Sequence, residues 1–214
     1  MRIPIVADGF RFIIPLAVVT AVFAALSMHW GTLLFGLALL FCLNFFRDPE
    51  RAIPQKDNVV VSPADGKVVE IAEDTDPLLK EPMMRVSIFL NVFNVHVNRV
   101  PVAGRIEAVR YNKGSFLNAA SHKASAENEQ NALLIDTGRE QVLMKQIAGL
   151  IARRIVCWAK EGDRYELGQR MGLIRFGSRT DLFLPKSSKI EVQVGDKVSG
   201  GSSIIGFLDP GNSS

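Results

Sequence analysis

Val59-Val60-Val61-Ser62-Pro63-Ala64-Asp65-Gly66-Lys67-Val68-Val69-Glu70-Ile71 is the stretch on which the fold turns. Two short runs rich in β-branched residues flank a Pro-Ala-Asp-Gly quartet, and that composition favours strands over helix. Proline presets φ and the Asp-Gly pair supplies turn geometry, so the stretch reads as strand, tight turn, strand. Outward from it the pattern continues through residues 84–90, 104–111, 132–136, 141–147 and 151–158, each an apolar run bounded by turn residues. No long amphipathic helical period interrupts the series. A mainly β domain is expected.

The chain has 214 residues, 48% hydrophobic and 22% charged, and the averages conceal two populations. Phe12 to Phe46 contains no charged residue and 27 of its 35 positions are apolar, whereas the residues from Arg47 onward hold 44 of the chain's 47 charges. A single 35-residue helix would be about 52 Å long, too long for a bilayer core of roughly 30 Å. Residues 27–32 break the stretch into two shorter runs, which predicts a helical hairpin over residues 1–46, as two thin spans or a re-entrant loop. A cleaved signal peptide fits less well because a second apolar run follows at once. A buried hairpin within the domain is the remaining alternative. Arg2 and Arg11 before the stretch and Arg47 and Arg51 after it place both ends on the cytoplasmic side of a cell membrane. Phe10, Trp30, Phe45 and Phe46 are candidates to hold the protein against the bilayer.

Two cysteines, Cys42 and Cys157, make neither a disulfide framework nor a four-cysteine metal site, so no metal is expected. The net charge of +3 contains no long basic run and aromatics are only 8%, which argues against a nucleic-acid partner. Near the end, residues 189–198 alternate into a Gly195-Asp196 turn, and residues 200–207 form a further apolar run. This end and Ala64-Asp65-Gly66-Lys67-Val68-Val69 resemble the hammerhead strands of biotinyl and lipoyl carrier domains. The attachment lysine of those carriers is missing. The resemblance therefore implies shape only: α+β overall, with a barrel-sandwich-like β domain over residues 47–214 behind the helical hairpin.

The chemistry concentrates in Arg175-Phe176-Gly177-Ser178-Arg179-Thr180-Asp181-Leu182-Phe183-Leu184-Pro185. Alone, Gly-Ser is a turn dipeptide. Here it lies between apolar runs at 171–176 and 182–184, where glycine permits unusual backbone geometry and leaves its carbonyl open to the next hydroxyl. An intramolecular acyl shift requires that arrangement.

With this motif the chain resembles the short form of phosphatidylserine decarboxylase, a pyruvoyl-dependent membrane enzyme made as a self-cleaving proenzyme. The resemblance runs through Ser62-Pro63-Ala64-Asp65-Gly66, Phe93-Asn94-Val95-His96-Val97-Asn98-Arg99-Val100-Pro101, Tyr111-Asn112-Lys113-Gly114-Ser115-Phe116, Asn128-Glu129 and Phe176-Gly177-Ser178-Arg179. It implies that Ser178 attacks the Gly177 carbonyl and that the resulting ester eliminates to split the chain. A large chain of residues 1–177 and a small chain of 178–214 result. Residue 178 passes through dehydroalanine to an N-terminal pyruvoyl group, which forms a Schiff base with the substrate amine and accepts the electron pair released with carbon dioxide. Phosphatidylserine would become phosphatidylethanolamine.

The resemblance further implies that His96 serves the decarboxylation as proton donor to Cα, and that Asp65 works with a histidine and the serine in cleavage. Longer family members have a second histidine where this chain has Arg99, a poor proton acceptor. His122 is a substitute base. Arg99, Lys113 and Arg179 are the cations nearest the motifs and so the candidates for the lipid phosphate. Each of these side chains also has a bland reading: His96 as a core histidine, Asp65 as an ordinary turn residue, the cations as solvated charges. A homo-oligomer is left open. The competing function is an uncut, membrane-anchored binding module; a third reading keeps the pyruvoyl chemistry on another amino-acid head group.

Overall fold

A computed structural model describes residues 4–114, 128–149, 154–175 and 178–209. The chain forms two compact units, Met1–Glu50 and Arg51–Ser214. In the first, a short 3-10 turn leads into helix α1 (Phe10–Ala25), and α2 (His29–Phe45) returns beside it. The break is tighter than the sequence suggests, with Ser27 at φ 56 in the left-handed region that reverses the chain. Gly31 carries no side chain where one would lie 2.1 Å from the Phe23 ring, and this lets Phe23 stack on Phe35 at 5.1 Å.

The pair buries little of its apolar surface. Ile14, Val18, Val22, Leu33, Leu34, Leu37 and Leu40 are all exposed, and Trp30 is 85% exposed. Within their own unit, then, the two helices leave a large apolar surface uncovered. The helical stretch Ala7–Ala25 is long and apolar enough to cross a membrane, and His29–Phe45 is apolar but shorter. Of the expected anchoring aromatics, Phe45 and Phe46 are corrected by the structure: both are buried, packed edge to face against each other, and Phe46 also stacks on Phe12. The unit extends to Glu50 because Ile5 bridges Arg47 and the Asp48 amide donates to the Pro4 carbonyl.

The second unit is β throughout its described residues. Fourteen strands occur among them: β1 (Val59–Val61), β2 (Gly66–Asp74), β3 (Met83–Leu90), β4 (Val97–Arg99), β5 (Gly104–Asn112), β6 (Gln130–Asp136) and β7 (Gln141–Ala148), followed by β8 (Ile155–Cys157), β9 (Arg164–Tyr165), β10 (Arg170–Ile174), β11 (Ser178–Leu184), β12 (Lys189–Ile190), β13 (Lys197–Val198) and β14 (Ile204–Phe207). They form an antiparallel sheet in the order β13-β2-β3-β11-β7-β6-β5-β9 and two three-stranded sheets, β1-β14-β12 and β4-β10-β8. Bulges at Val68/Glu70 and Ile106/Ala108 bend the long strands and help the large sheet to curl. One core fills the concave side: Val68, Ile88, Leu133, Met144 and Leu182 of the large sheet meet Val60 and Ile205 of one small sheet and Met171 of the other.

Three expectations change. β1 and β2 do not form a hairpin across Ser62–Gly66; β1 pairs with β14 and β2 with β3 and β13, so the turn carries the chain from one sheet to another. The alternating run at 189–198 shrinks to two-residue strands, because Glu191, Gln193 and Val194 find no full ladder. The expected strand at 151–158 is described only as β8, residues 151–153 lying outside the described set.

β11 begins at Ser178 itself, ahead of the apolar run at 182, and all seven of its residues are buried. Its polar residues fit because they alternate. Ser178, Thr180, Leu182 and Leu184 face the core, whereas Arg179, Asp181 and Phe183 face the opposite side. There Arg179 donates to Asp181 (Nε to Oδ1, 2.6 Å) and to Ser87 Oγ (2.9 Å), and Arg85 joins Glu70 and the same Ser87 hydroxyl, each at 2.9 Å. Losing one member strands a buried charge. Asp181→Ala should therefore destabilise the protein by about 3–5 kcal/mol, read as a lower urea midpoint at unchanged m-value.

Candidate active site

Antiparallel pairing alternates strand direction, so β2, β11 and β6 begin, and β3, β7 and β5 end, at one end of the large sheet. Ser178 stands opposite Leu90 on one side and Ala148 on the other. The Ala148 amide donates to the Glu129 carbonyl, and one residue along β5 and β6 brings Asn112 opposite Gln130. Segments remote in sequence, Gly66, Leu90, Asn128-Glu129, Lys113 and Ser178, thus share one rim. Asn128 Nδ2 ties the rim by donating to the Ala148 carbonyl at 2.7 Å, and the Tyr111 hydroxyl donates to Glu129 Oε1 at 2.9 Å. Partial desolvation, and then the Glu129 carboxylate, hold that phenol above its ordinary pKa.

The small sheet β4-β10-β8 brings in the histidine. His96 immediately precedes β4, and its carbonyl accepts from the Ile174 amide, four residues before Ser178. The side chain is 1% exposed, and Nδ1 lies 2.9 Å from the Asn94 carbonyl. A carbonyl only accepts, so in the neutral ring Nδ1 carries the proton and Nε2 is the basic nitrogen.

The remaining expected residues divide. Asp65 is held by Arg51 Nη2, with both carboxylate oxygens at 2.8 Å, and accepts from the Gly200 amide at 2.8 Å. With the Pro63 carbonyl accepting from the Arg99 amide, the turn is braced against β4. Arg99 is buried and donates to the Gly168 carbonyl at 3.0 Å; Arg179 is in the ion cluster behind the sheet; Lys113 is exposed at the rim. Gly177 and His122 lie outside the described residues.

Residues that sequence reasoning passed over also converge here. Thr180, Gln146 and Asn131 stand side by side on β11, β7 and β6, facing the core. Asn131 Nδ2 donates to Gln146 Oε1 at 3.1 Å, and Gln146 Nε2 donates to Asn98 Oδ1 at 2.9 Å. Among the described residues the buried Ser178 Oγ, Thr180 Oγ1 and Asn98 Nδ2 have no hydrogen-bond partner. Leaving a buried polar atom unsatisfied costs about 1–3 kcal/mol, so each of these atoms calls for an explanation. The available signal was an amide or hydroxyl inside an apolar strand run, as at Asn98 and Gln146.

Comparison with known proteins gives this geometry its context. The sequence model for phosphatidylserine decarboxylase matches residues 38–206. The chain belongs to the phosphatidylserine decarboxylase family. Among its relatives, the phosphatidylserine decarboxylase proenzyme of Geotalea uraniireducens is 47% identical over 206 residues, covering 96% of this chain and 97% of that protein. The proenzymes of Syntrophus aciditrophicus (50% identical, 94% and 96% covered) and Burkholderia pseudomallei (48%, 96% and 96%) are similarly close. An enzyme of the phosphatidylserine decarboxylase family is thus the reading these relatives support, and the uncut binding module has no support among them. Both the Ser178 strand and the His96 segment lie inside the matched region.

At the far end of the amide chain, in β8, burial pushes the Cys157 thiol up, against weaker opposing effects of the Ala159 backbone and the Asn131 side chain. A raised pKa depletes the reactive thiolate. At pH 7.5 iodoacetamide should label Cys157 much more slowly than free cysteine, and urea unfolding should abolish the difference.

Proposed function

We propose that this protein is a phosphatidylserine decarboxylase made as a proenzyme, that it cuts itself between Gly177 and Ser178, and that residue 178 becomes the pyruvoyl group of the mature enzyme. Large chain 1–177 and small chain 178–214 then make up the decarboxylase domain, residues 47–214, and residues 1–46 attach it to the cytoplasmic face of the cell membrane. The observation that carries this reading is Ser178 Oγ: a buried hydroxyl without a partner among the described residues, at the first position of a strand paired on both sides. A structural serine there would be satisfied or replaced by alanine.

The residues present suit a pyruvoyl group at this position, because Asn98 Nδ2 and Thr180 Oγ1 offer free polar atoms on the side that Ser178 faces. Such a group supplies an electrophilic carbonyl that binds the substrate amine and takes up the electron pair left by carbon dioxide. The protein does the rest. Ser178 is fully buried, which keeps water from it, and pairing of β11 with β3 and β7 fixes residue 178 against motion.

His96 moves the protons. With Nδ1–H directed to the Asn94 carbonyl, Nε2 can accept the Ser178 hydroxyl proton in self-cleavage and, once protonated, deliver one to the substrate Cα. Arg99 cannot accept a proton. Asp65, engaged by Arg51 and Gly200, acts as a positioning residue that holds the turn beside β4. Of the three candidate cations Lys113 is the exposed one and is assigned to the lipid phosphate, on the rim about 14 Å, three strand spacings, from β11. Arg99 and Arg179 keep the frame. The exposed apolar faces of α1 and α2 give the hairpin its purpose, holding the enzyme where a two-chain lipid presents its head group.

Purified wild-type protein should run as two fragments on a denaturing gel, and its intact masses should report a small chain starting at residue 178 with a blocked N-terminus. Ser178→Ala should stay full length. A single uncut wild-type band removes the proposal. His96→Ala should cleave more slowly than wild type, and in the fraction that does cleave it should lower turnover per small chain about 10²–10⁴-fold, measured as carbon dioxide released from phosphatidylserine in detergent.

A further inference from the structure

β3 leaves the large sheet at Leu90, opposite Ser178, and the chain turns before it reaches His96. Hydrogen bonds pin that turn: the Asn91 amide donates to Asn94 Oδ1 at 2.9 Å, the Phe93 amide to Asn91 Oδ1 at 2.8 Å, and the Asn94 amide to the Asn91 carbonyl at 3.0 Å. Short amide side chains hold a backbone in this way. Phe93 lies in the turn and is 68% exposed. An apolar side chain on a slack loop can fold back onto the surface, whereas one on a pinned turn stays where the backbone puts it.

The rim on either side is aromatic and cationic. On one flank Tyr111 is 59% exposed, and Lys113 and Arg154 are exposed near it; the Arg154 carbonyl accepts from the Arg175 amide, three residues before Ser178. On the other flank Lys67 and Lys197 stand directly opposite each other across β2 and β13, one residue in from Gly66, and both are exposed. Like charges so placed repel each other. The carboxylates at this end are engaged elsewhere, Glu129 by the Tyr111 hydroxyl and Asp65 by Arg51. Phe93 thus projects between two positive flanks, on β2 and β5, which are five strand spacings or about 24 Å apart along the sheet. An anionic bilayer surface complements that pattern, since the ring suits the apolar boundary and the cations suit the head groups.

We infer that this rim is a second membrane-docking surface, borne by the decarboxylase domain itself, with Phe93 inserted between head groups and acyl chains and Lys67, Lys197 and Arg154 on the anionic head groups around it. The inference rests on the proposed action on a phospholipid and adds the face that meets it. Phe93 is three residues from His96 and three from Leu90, the neighbour of Ser178, so docking there brings head groups to the residues proposed to act on them.

The test uses the full protein and two forms of one substrate: phosphatidylserine in vesicles with phosphatidylcholine, and dihexanoyl phosphatidylserine dissolved below its micelle concentration. Phe93→Ala should lower turnover on vesicles on the order of tenfold and leave turnover on the dissolved lipid within about twofold of wild type. Phe93→Leu, still apolar, should keep most of the vesicle rate. Lys67→Gln combined with Lys197→Gln should slow the vesicle reaction at low salt and hardly change it at high salt, where screening already removes the attraction. Equal vesicle rates for wild type and Phe93→Ala overturn the inference. So does an equal loss on both forms of the lipid, which would make Phe93 part of the substrate pocket. Should Phe93→Ala fail to fold or cleave, Phe93→Trp decides: phosphatidylcholine brominated on its acyl chains should quench it more than it quenches wild type, whose tryptophans are Trp30 and Trp158, and no added quenching overturns the inference. A wild-type protein that releases carbon dioxide from neither form overturns the underlying proposal instead, so the two failures are distinguishable.

Discussion

The pairing of β11 on both edges is the constraint from which the rest of the second unit follows. A strand between β3 and β7 has no free backbone groups and no freedom of register, since a slip of one residue would exchange its faces. Such a slip would drive Arg179 and Asp181 into the apolar core and turn Leu182 outward. The cost of burying that charge pair among apolar side chains, several kcal/mol for each ion, locks the strand. Ser178 inherits this precision as its first residue.

The two faces of β11 divide the work. Behind the sheet, Arg179, Asp181, Arg85, Glu70 and Ser87 are joined by ionic hydrogen bonds, and Arg85 extends the network to Asp74. In front, Ser178, Thr180 and Asn98 are left wanting partners. Stabilising ion pairs thus lie on one side of a single strand and the groups proposed to react on the other, a few ångströms apart. The amide chain runs from Asn131 to Gln146 within the large sheet and then crosses to Asn98, which ties the β4-β10-β8 layer, with His96 just before β4, to the side that Ser178 faces.

Much of this was legible in the sequence. The runs at 84–90, 104–111 and 141–147 match β3, β5 and β7 within a residue at each end, because short apolar runs bounded by turn residues report strands directly, whether half-buried as β5 or buried on both faces as β3 and β7. The helical hairpin was equally plain from its missing charges. What escaped was long-range. Ser62–Gly66 looks like a hairpin turn locally, but the partner of β1 is β14, at the other end of the chain, and no local signal encodes that pairing. Arg99 and Arg179 beside the motifs suggested phosphate ligands, yet their burial against Gly168 and Asp181 depends on strands distant in sequence. Ser178, His96 and Asp65 could be named from motifs. Asn98 and Thr180 could not, since an unmet hydrogen bond exists only once everything around it is placed.

The residues after Ser178 are woven through the domain rather than appended to it. β11 and β13 enter the large sheet next to strands from the first half of the chain, and β14 is wedged between β1 and β12. Covalent continuity therefore matters during assembly and not afterwards. An unbroken chain finds this arrangement by a first-order search, whereas two separate pieces must meet in solution, at a rate set by their concentration and against the loss of translational freedom. Opening the chain at residue 178, as proposed, would leave its ladders and core in place but remove the tether that makes folding easy. The native state of such a molecule would be a record of its precursor, reached once and held by kinetics as much as by equilibrium.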